Sequence, residues 1–396
     1  METLTFGGLV EALDRYSGHR GWPIPPHPAA VRTVVDREAA KWTRMRAWDR
    51  FLDPEWSIAG YCAERVFGDT DIDVGEFLAA FQTANGSIAN APGASALFLL
   101  EVERRGEPVA TERVERLRGY LHTRRAAQIG YLDWVPHFTT SWTAMFEHEL
   151  GGVPEVPAPV ADLFRADLNH PSGLMGSIGT AGDTTIPGDV DNTACAILAA
   201  RILGLPSPSS AKFEQLYLSE QGCYRTFLFE HDASLSTNIH VAAVLALEDR
   251  TDRLTRVLDW LTRAVVGDGI ALCKWHVSPV YAMGELARVA ARIDHPLATD
   301  LRSTATARLL ALHNTDGGWG VHGSTAEETG YAVLGLAAGA PTGPVPDALR
   351  RAHHYLDTHP PREIPLWLGK TLYCLRTLVP VLHRTALARI DQLALV

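Results

Sequence analysis

Asp189-Val190-Asp191-Asn192-Thr193-Ala194-Cys195-Ala196 opens an Ala-rich apolar run that ends at Leu203-Gly204. A loop rich in Gly, Thr and Pro, residues 173–188, leads into it. A polar start, an apolar body and a glycine stop predict a buried helix over 190–204. Asp and Asn favour the N-cap, where a side-chain oxygen accepts a free backbone N–H. Two carboxylates two residues apart at the mouth of a buried helix are costly to place. The stretch is therefore either a plain cap or a chemical site.

Outward from it, apolar helical spacing alternates with short loops of Gly, Pro, Asn and Asp. The spacing predicts helices over 75–83, 91–105, 111–125, 138–149, 209–219, 235–247, 253–265, 278–291, 297–313, 325–338, 346–357 and 366–374. Patterns of period two are nearly absent, so the expected class is all-α. Helix–turn–helix pairs recurring about every 40–50 residues predict a closed ring of hairpins, an α/α-barrel. Such a ring leaves a deep pocket at its loop ends. Nearer the start, a helix is expected within Leu9–Tyr16, then a Pro-rich connector at 21–28. Trp42, Met45, Trp48, Phe51 and Leu52 form an aromatic stripe that reads as core. The Gly- and Pro-rich stretch 151–159 reads as a crossing between a domain over 1–155 and one over 156–396.

The chain has 396 residues, of which 46% are hydrophobic and 21% charged, enough for a generous core. A net charge of -10 argues against a non-specific nucleic-acid binder, which needs a basic footprint. Cys62, Cys195, Cys223, Cys273 and Cys374 are far apart with no CxxC pair, which fits reduced thiols in the cytoplasm. The first residues lack the basic and apolar regions of a signal peptide. No apolar run reaches the roughly 18 residues of a membrane span. A cytoplasmic, soluble protein is expected.

Four further stretches concentrate unusual residues. Ser234-Leu235-Ser236-Thr237-Asn238-Ile239-His240 runs directly into an apolar helix, with Asn238 as its candidate binding residue. Lys274-Trp275-His276-Val277-Ser278-Pro279-Val280-Tyr281 packs a cation, two aromatics and an imidazole at a helix start. Asp316-Gly317-Gly318-Trp319-Gly320 forms a tight turn presenting Trp319, and Ser324 with Glu327 is a candidate capping box before Tyr331. Pro365-Leu366-Trp367-Leu368-Gly369-Lys370-Thr371-Leu372-Tyr373 embeds a lysine among aromatics, which either snorkels to water or meets an anion. The DDxxD, GxxxxGK[ST], HExxH and GxSxG patterns are all missing, so ionisation-type, P-loop, zincin and α/β-hydrolase chemistry have no support.

Together these stretches carry a resemblance. Asp189 to Ala194 resembles the DxDD-T-A motif of class II, protonation-initiated terpene cyclases, with Asn192 in place of the last Asp. Asp316 to Gly320 looks like their QW-type turn. The S-T-x-E-E-T-x-Y, K-W-H-x-S-P-x-Y and W-x-G-K-T-L-Y segments are similar to those of diterpene cyclases of the copalyl diphosphate synthase type. The stretch from Asn85 to Ala96 is similar to a further family segment. These matches stand in the family's order over about residues 85–380.

The resemblance implies a β-type α/α-barrel over 156–396 and a shortened, γ-like helical domain over 1–155. It implies cyclisation of a polyprenyl diphosphate, geranylgeranyl diphosphate first, to a bicyclic product that keeps its diphosphate. By motif position Asp191 is the general acid, with Asp189 and Asn192 as polar partners. Trp275, His276, Trp319, Tyr331 and Trp367 are candidate binding and lining residues, and Lys370 a diphosphate contact. Mg²⁺ is implied as cofactor with no located site, although Glu64, Asp69, Asp71 and Asp73 are a candidate acidic loop. A homodimer is admitted by the same resemblance and not required by it. The rival expectations are a cyclase of farnesyl diphosphate or of a prenylated aromatic, and a non-catalytic barrel that binds a prenyl chain. A glycosidase lacks a clear second carboxylate pair.

Overall fold

The computed structural model describes residues 5–67, 71–106, 108–124, 136–152, 158–167, 172–176, 187–230, 233–266, 273–369 and 372–395. The chain folds as two compact units. One gathers Gly130–Leu168 with Asp189–Val396, the other Glu2–Ile129 with Asn169–Gly188. The second unit holds α1 (Thr5–Arg20), α2 (Ala29–Arg46), α3 (Ala63–Val66), α4 (Val74–Phe81), α5 (Pro92–Arg105) and α6 (Thr111–Arg124). In it α1 packs on α2 and α3, and α5 on α3 and α6. Phe67, Phe77, Phe81 and Phe98 meet at its centre, with Phe67 edge-on to Phe77 and Phe98.

The first unit holds α7 (Pro136–His148), α8 (Ala158–Asp167), α9 (Val190–Leu203), α10 (Ala211–Tyr217), α11 (Leu235–Leu247) and α12 (Thr251–Val266). It continues with α13 (Pro279–Ala290), α14 (Pro296–Ala311), α15 (Ala326–Leu336), α16 (Val345–Thr358) and α17 (Leu378–Gln392). Helix α7 lies before the expected crossing at 151–159, yet packs in this unit against α9 and α17. The ring runs α7–α9–α11–α13–α15–α17 and closes on α7, with α8, α12, α14 and α16 packed outside it. This is the α/α-barrel expected from the hairpin rhythm. Helices α8 and α17 are additional to the expected set, and α17 is the one that closes the ring.

The sequence assigns helices to the two layers by composition. Every residue of α13 and α15 is buried, and so are ten of α11. A helix with apolar residues around most of its circumference has little face to give to water and goes to the centre, where its few polar groups must find partners. Helix α12 buries only Leu254, Val257, Leu258, Leu261 and Val265, one stripe at helical spacing, and α16 does the same. Between α13 and α15 the backbones meet closely. A Cβ on Gly335 would stand 2.7 Å from the Gly284 carbonyl oxygen, and one on Gly284 would overlap that of Tyr331.

One turn recurs three times. Gln82 bridges Ile88, Leu218 bridges Tyr224 and His313 bridges Trp319, each pair six residues apart. Each has a glycine at the fifth position in the left-handed region, Gly86 (φ 88°), Gly222 (φ 84°) and Gly317 (φ 94°), where a Cβ is penalised. Each also repeats the same two backbone bonds, such as Asn314 N–H to Gly318 O and Gly317 N–H to Asn314 O. Only the third copy was legible as a motif turn.

Residues 366–374 are not the expected helix. Trp367–Leu368 (β1) and Leu372–Tyr373 (β2) pair antiparallel. Backbone bonds Val277 N–H to Leu366 O and Leu368 N–H to Trp275 O then fasten β1 to the segment before α13. Those cross-chain bonds compete successfully with a short helix interrupted by Gly369. They bring Trp367 beside His276.

Candidate active site

Helix α9 begins at the motif. Asp189 is its N-cap: Oδ1 accepts the Asn192 backbone N–H at 2.8 Å and Oδ2 accepts Asn192 Nδ2 at 2.7 Å. The Asn192 amide thus serves Asp189 and not Asp191. Burial, and then the nearby Asp191, push the Asp189 carboxyl up to about 7, against the pull of both Asn192 donors. Asp191, in the first turn, is 7% exposed. Its Oδ1 lies 2.9 Å from His240 Nδ1 on α11, while its Oδ2 makes no hydrogen bond among the described residues.

His240 was not singled out from the sequence, where Asn238 stood for this cluster. Asn238 instead ties backbone: its Oδ1 accepts Tyr224 N–H at 2.7 Å, and its Nδ2 donates to Tyr224 O and Ser234 O. The other nitrogen of His240, Nε2, is 3.6 Å from Glu285 Oε2 on α13. Burial opposes a charge on the ring, but the Cys195 sulfur and the Asp191 carboxylate raise its pKa well above the ordinary value. Glu285 is gripped by Arg288 at 3.1 and 2.5 Å, and Arg288 reaches Glu149 at 3.0 Å, at the end of α7. Burial pushes Glu285 up, and Arg288 with His240 brings it down to about 2. Glu285, Arg288 and Glu149 were not legible as site residues, although a Glu–Arg pair at i,i+3 in an otherwise apolar helix is a signal.

Beside the acid stands an aromatic cluster. Trp142 of α7 meets His240 edge-on, with centroids 5.3 Å apart, and also touches Tyr281 and Trp367. Tyr281 is 5.0 Å from His276, 5.0 Å from Tyr331 and 5.2 Å from Trp367. Burial keeps both tyrosine hydroxyls neutral, with pKa well above the ordinary value. Glu327 Oε1 accepts Trp367 Nε1 at 2.7 Å and the Tyr331 hydroxyl at 3.4 Å, and His276 Nε2 is 3.5 Å away. The structure therefore joins Asp191, His276, Tyr331 and Trp367 through His240, Trp142 and Tyr281. Trp142 and Tyr281 are additions to the expected lining.

Two expected lining residues, Trp319 and Trp275, make their ring contacts with other partners. Trp319 stacks on His313 at 4.2 Å and gives its indole N–H to Leu309 O, so it pins the turn. Trp275 stands with Phe227 under the Lys274 ammonium, which pairs with Glu230. The helix cap is Thr325, one residue beyond Ser324: its Oγ1 accepts the Glu328 N–H at 3.0 Å, while its own backbone N–H goes to Trp319 O, so no capping box forms. Lys370 and Asp69 lie outside the described residues.

No three His, Cys, Asp or Glu side chains among the described residues converge to hold an ion, and Asp73 is taken up capping α4. No helix among them is long and apolar enough to cross a membrane.

A closed α/α-barrel carrying a buried Asp–His pair against an aromatic wall is the build of a class II terpene cyclase. Comparison with known proteins agrees. The chain is 30% identical over 304 residues to an ent-copalyl diphosphate synthase of Streptomyces sp., covering 73% of this chain and 56% of that one. It is 28% identical over 326 residues to a type B diterpene cyclase of Mycobacterium tuberculosis, covering 78% and 62%. In structure it matches ent-copalyl diphosphate synthase from Streptomyces platensis with a TM-score of 0.76 at 22% identity, over 98% of this chain and 77% of that one. No family model matches the chain. It spans about half the length of the curated relatives it matches. The chain is a homologue of the bacterial copalyl diphosphate synthase-like class II diterpene cyclases.

Proposed function

We propose that the chain cyclises a polyprenyl diphosphate, geranylgeranyl diphosphate first, by protonating its terminal alkene from Asp191. The observation that carries this reading is Asp191 itself, buried, with Oδ1 held by His240 and Oδ2 unbonded among the described residues beside the aromatic cluster. The proton of Asp191 goes to the terminal alkene carbon, and a tertiary cation forms. An imidazolium at Oδ1 stabilises the carboxylate left behind, and in a dry interior that attraction is strong. The π-faces of Trp142, Tyr281, Tyr331 and Trp367 stabilise cations without offering a reactive base. Attack by internal alkenes closes two rings, and loss of a proton ends the sequence, so the product is an isomer that keeps its diphosphate.

Asp189 is a polar partner beside the acid, with both its oxygens held by Asn192. Lys370 is assigned to the diphosphate by motif position. Mg²⁺, if it accompanies the diphosphate, would supply charge neutralisation there, and no step above is routed through it. Purified protein incubated with geranylgeranyl diphosphate, with and without Mg²⁺, is expected to give an isomeric, diphosphate-retaining product by mass spectrometry. Farnesyl diphosphate in a parallel arm tests the shorter chain. Asp191→Ala is expected to give no product while folding normally. Full turnover by that variant would sink the assignment.

A further inference from the structure

The unit that holds α1 to α6 has a pocket of its own. It lies between the last turn of α1 and the end of α5, with a volume of about 240 Å³. Tyr16, Arg20 and Trp22 wall it from α1 and the turn that follows, and Leu100, Glu103 and Arg104 wall it from α5. It shares no residue with the aromatic cluster beside Asp191.

The walls are braced from beneath. Glu101 is fully buried and ties the two sides together. Its Oε1 accepts the Tyr16 hydroxyl at 2.8 Å, and its Oε2 accepts Arg104 Nε and Nη2 at 3.0 and 2.8 Å. Helix α1 then ends in a tight turn through Gly21 (φ 68°), with Gly21 N–H on Gly18 O and Trp22 N–H on Ser17 O. That turn brings Trp22 to the pocket while leaving it 63% exposed, opposite Leu100 at 40%. Exposed apolar side chains scattered singly need no explanation, but two gathered at one concavity mark a contact surface.

Charge defines the rest of the ligand. Arg15, Arg104 and Arg105 all converge on the one carboxylate of Glu101. Arg20 and His19 have no hydrogen-bond or ion-pair partner among the described residues. Glu103 is the one acid in the wall, so the pocket is locally positive in a chain of net charge -10. A guanidinium grips a carboxylate or phosphate oxygen and also stacks on a ring. Offsetting the negative end of the α1 dipole would account for His19 and Arg20 in the last turn, but not for the concavity or for Trp22 held out in water.

We propose that this pocket binds a small aromatic anion, a carboxylate or phosphate on a planar ring, with Arg20 on the anionic group and Trp22 on the ring. The volume suits one or two rings, since pockets for drug-sized ligands run to about 300–1,000 Å³. The proposal goes beyond the cyclisation reading and does not depend on it, because Asp191 takes no part.

Binding is measured on the full chain by titration calorimetry with benzoate and with phenyl phosphate. Indole NMR follows the same titrations, and Trp22→Phe assigns the Trp22 signal among the ten tryptophans. Saturable binding that shifts Trp22 is expected, and the tighter probe identifies the head group. Benzyl alcohol lacks the charge and inorganic phosphate lacks the ring, so each is expected to bind at least about tenfold more weakly. Arg20→Gln and Trp22→Ala are each expected to weaken binding about tenfold, and both side chains are exposed, so the fold should be kept. No saturation by either aromatic anion up to about 10 mM, equal binding of benzyl alcohol, or an affinity unmoved in either variant overturns the proposal. So does sedimentation showing a dimer that Trp22→Ala dissociates, because a second copy would then cover the pocket.

Discussion

Glu285 and Glu327 stand on neighbouring inner helices, α13 and α15, both almost fully buried, and they are held in opposite ways. Glu285 is matched by charge: Arg288 chelates it and the His240 ring faces it. Glu327 takes hydrogen bonds from two groups that carry no charge, the Trp367 indole and the Tyr331 hydroxyl, with the His276 ring a little further off. The first arrangement sets formal charges against one another in a buried place. The second orients aromatic rings by their polar edges.

Breaking the charge-matched side is expected to have the largest effect. Arg288→Met leaves Glu285 and Glu149 buried without their shared partner, which should cost about 3–5 kcal/mol of unfolding free energy. Urea unfolding followed by tryptophan fluorescence measures this, and a loss below about 1 kcal/mol would show that the pairs carry little. The middle effect is on pH. Asp189 is raised from 3.8 to about 7 in the fold, so between those values the native state holds a proton that the unfolded chain has released. Stability should therefore fall as pH rises from about 4 to about 7, at no more than about 1.4 kcal/mol per unit from this group. Asp189→Asn should flatten that part of the profile, and an unchanged slope would contradict the assignment. The smallest effect belongs to the hydrogen-bonded side. Tyr331→Phe removes one long bond to Glu327 and leaves the Trp367 bond, so about 0.5–1 kcal/mol is expected. A loss as large as that of Arg288→Met would erase the contrast between the two glutamates.

Much of this site was legible one residue at a time. Asp189 and Asp191 were found because a cap pattern met a buried helix. His276, Tyr331 and Trp367 were found because aromatics clustered at motif positions. The misses have a shared cause. Asn238 and His240 are two residues apart on one helix, about 200° apart around its axis, so they face different neighbours. Asn238 turns to the backbone at Tyr224, and His240 turns to Asp191. Spacing alone does not fix which of the two points at the acid. Trp319 was legible as a turn residue, but its ring packs on His313 because the Gly317 turn folds it back.

The sequence by itself determined what is local. Asp189, Ser278 and Thr325 cap helices because a side-chain oxygen can reach an N–H within three residues. Apolar residues around most of their circumference sent α13 and α15 to the inner ring despite Glu285, Arg288, Glu327 and Glu328, and a single stripe kept α12 and α16 outside. Only the tertiary structure decided which polar groups meet. Arg288 and Glu149 are 139 residues apart and His240 is 49 from Asp191. Their meeting depends on closure of the ring through α17 and on the rotation of each inner helix about its axis. Both are set by packing between helices, which no local pattern records.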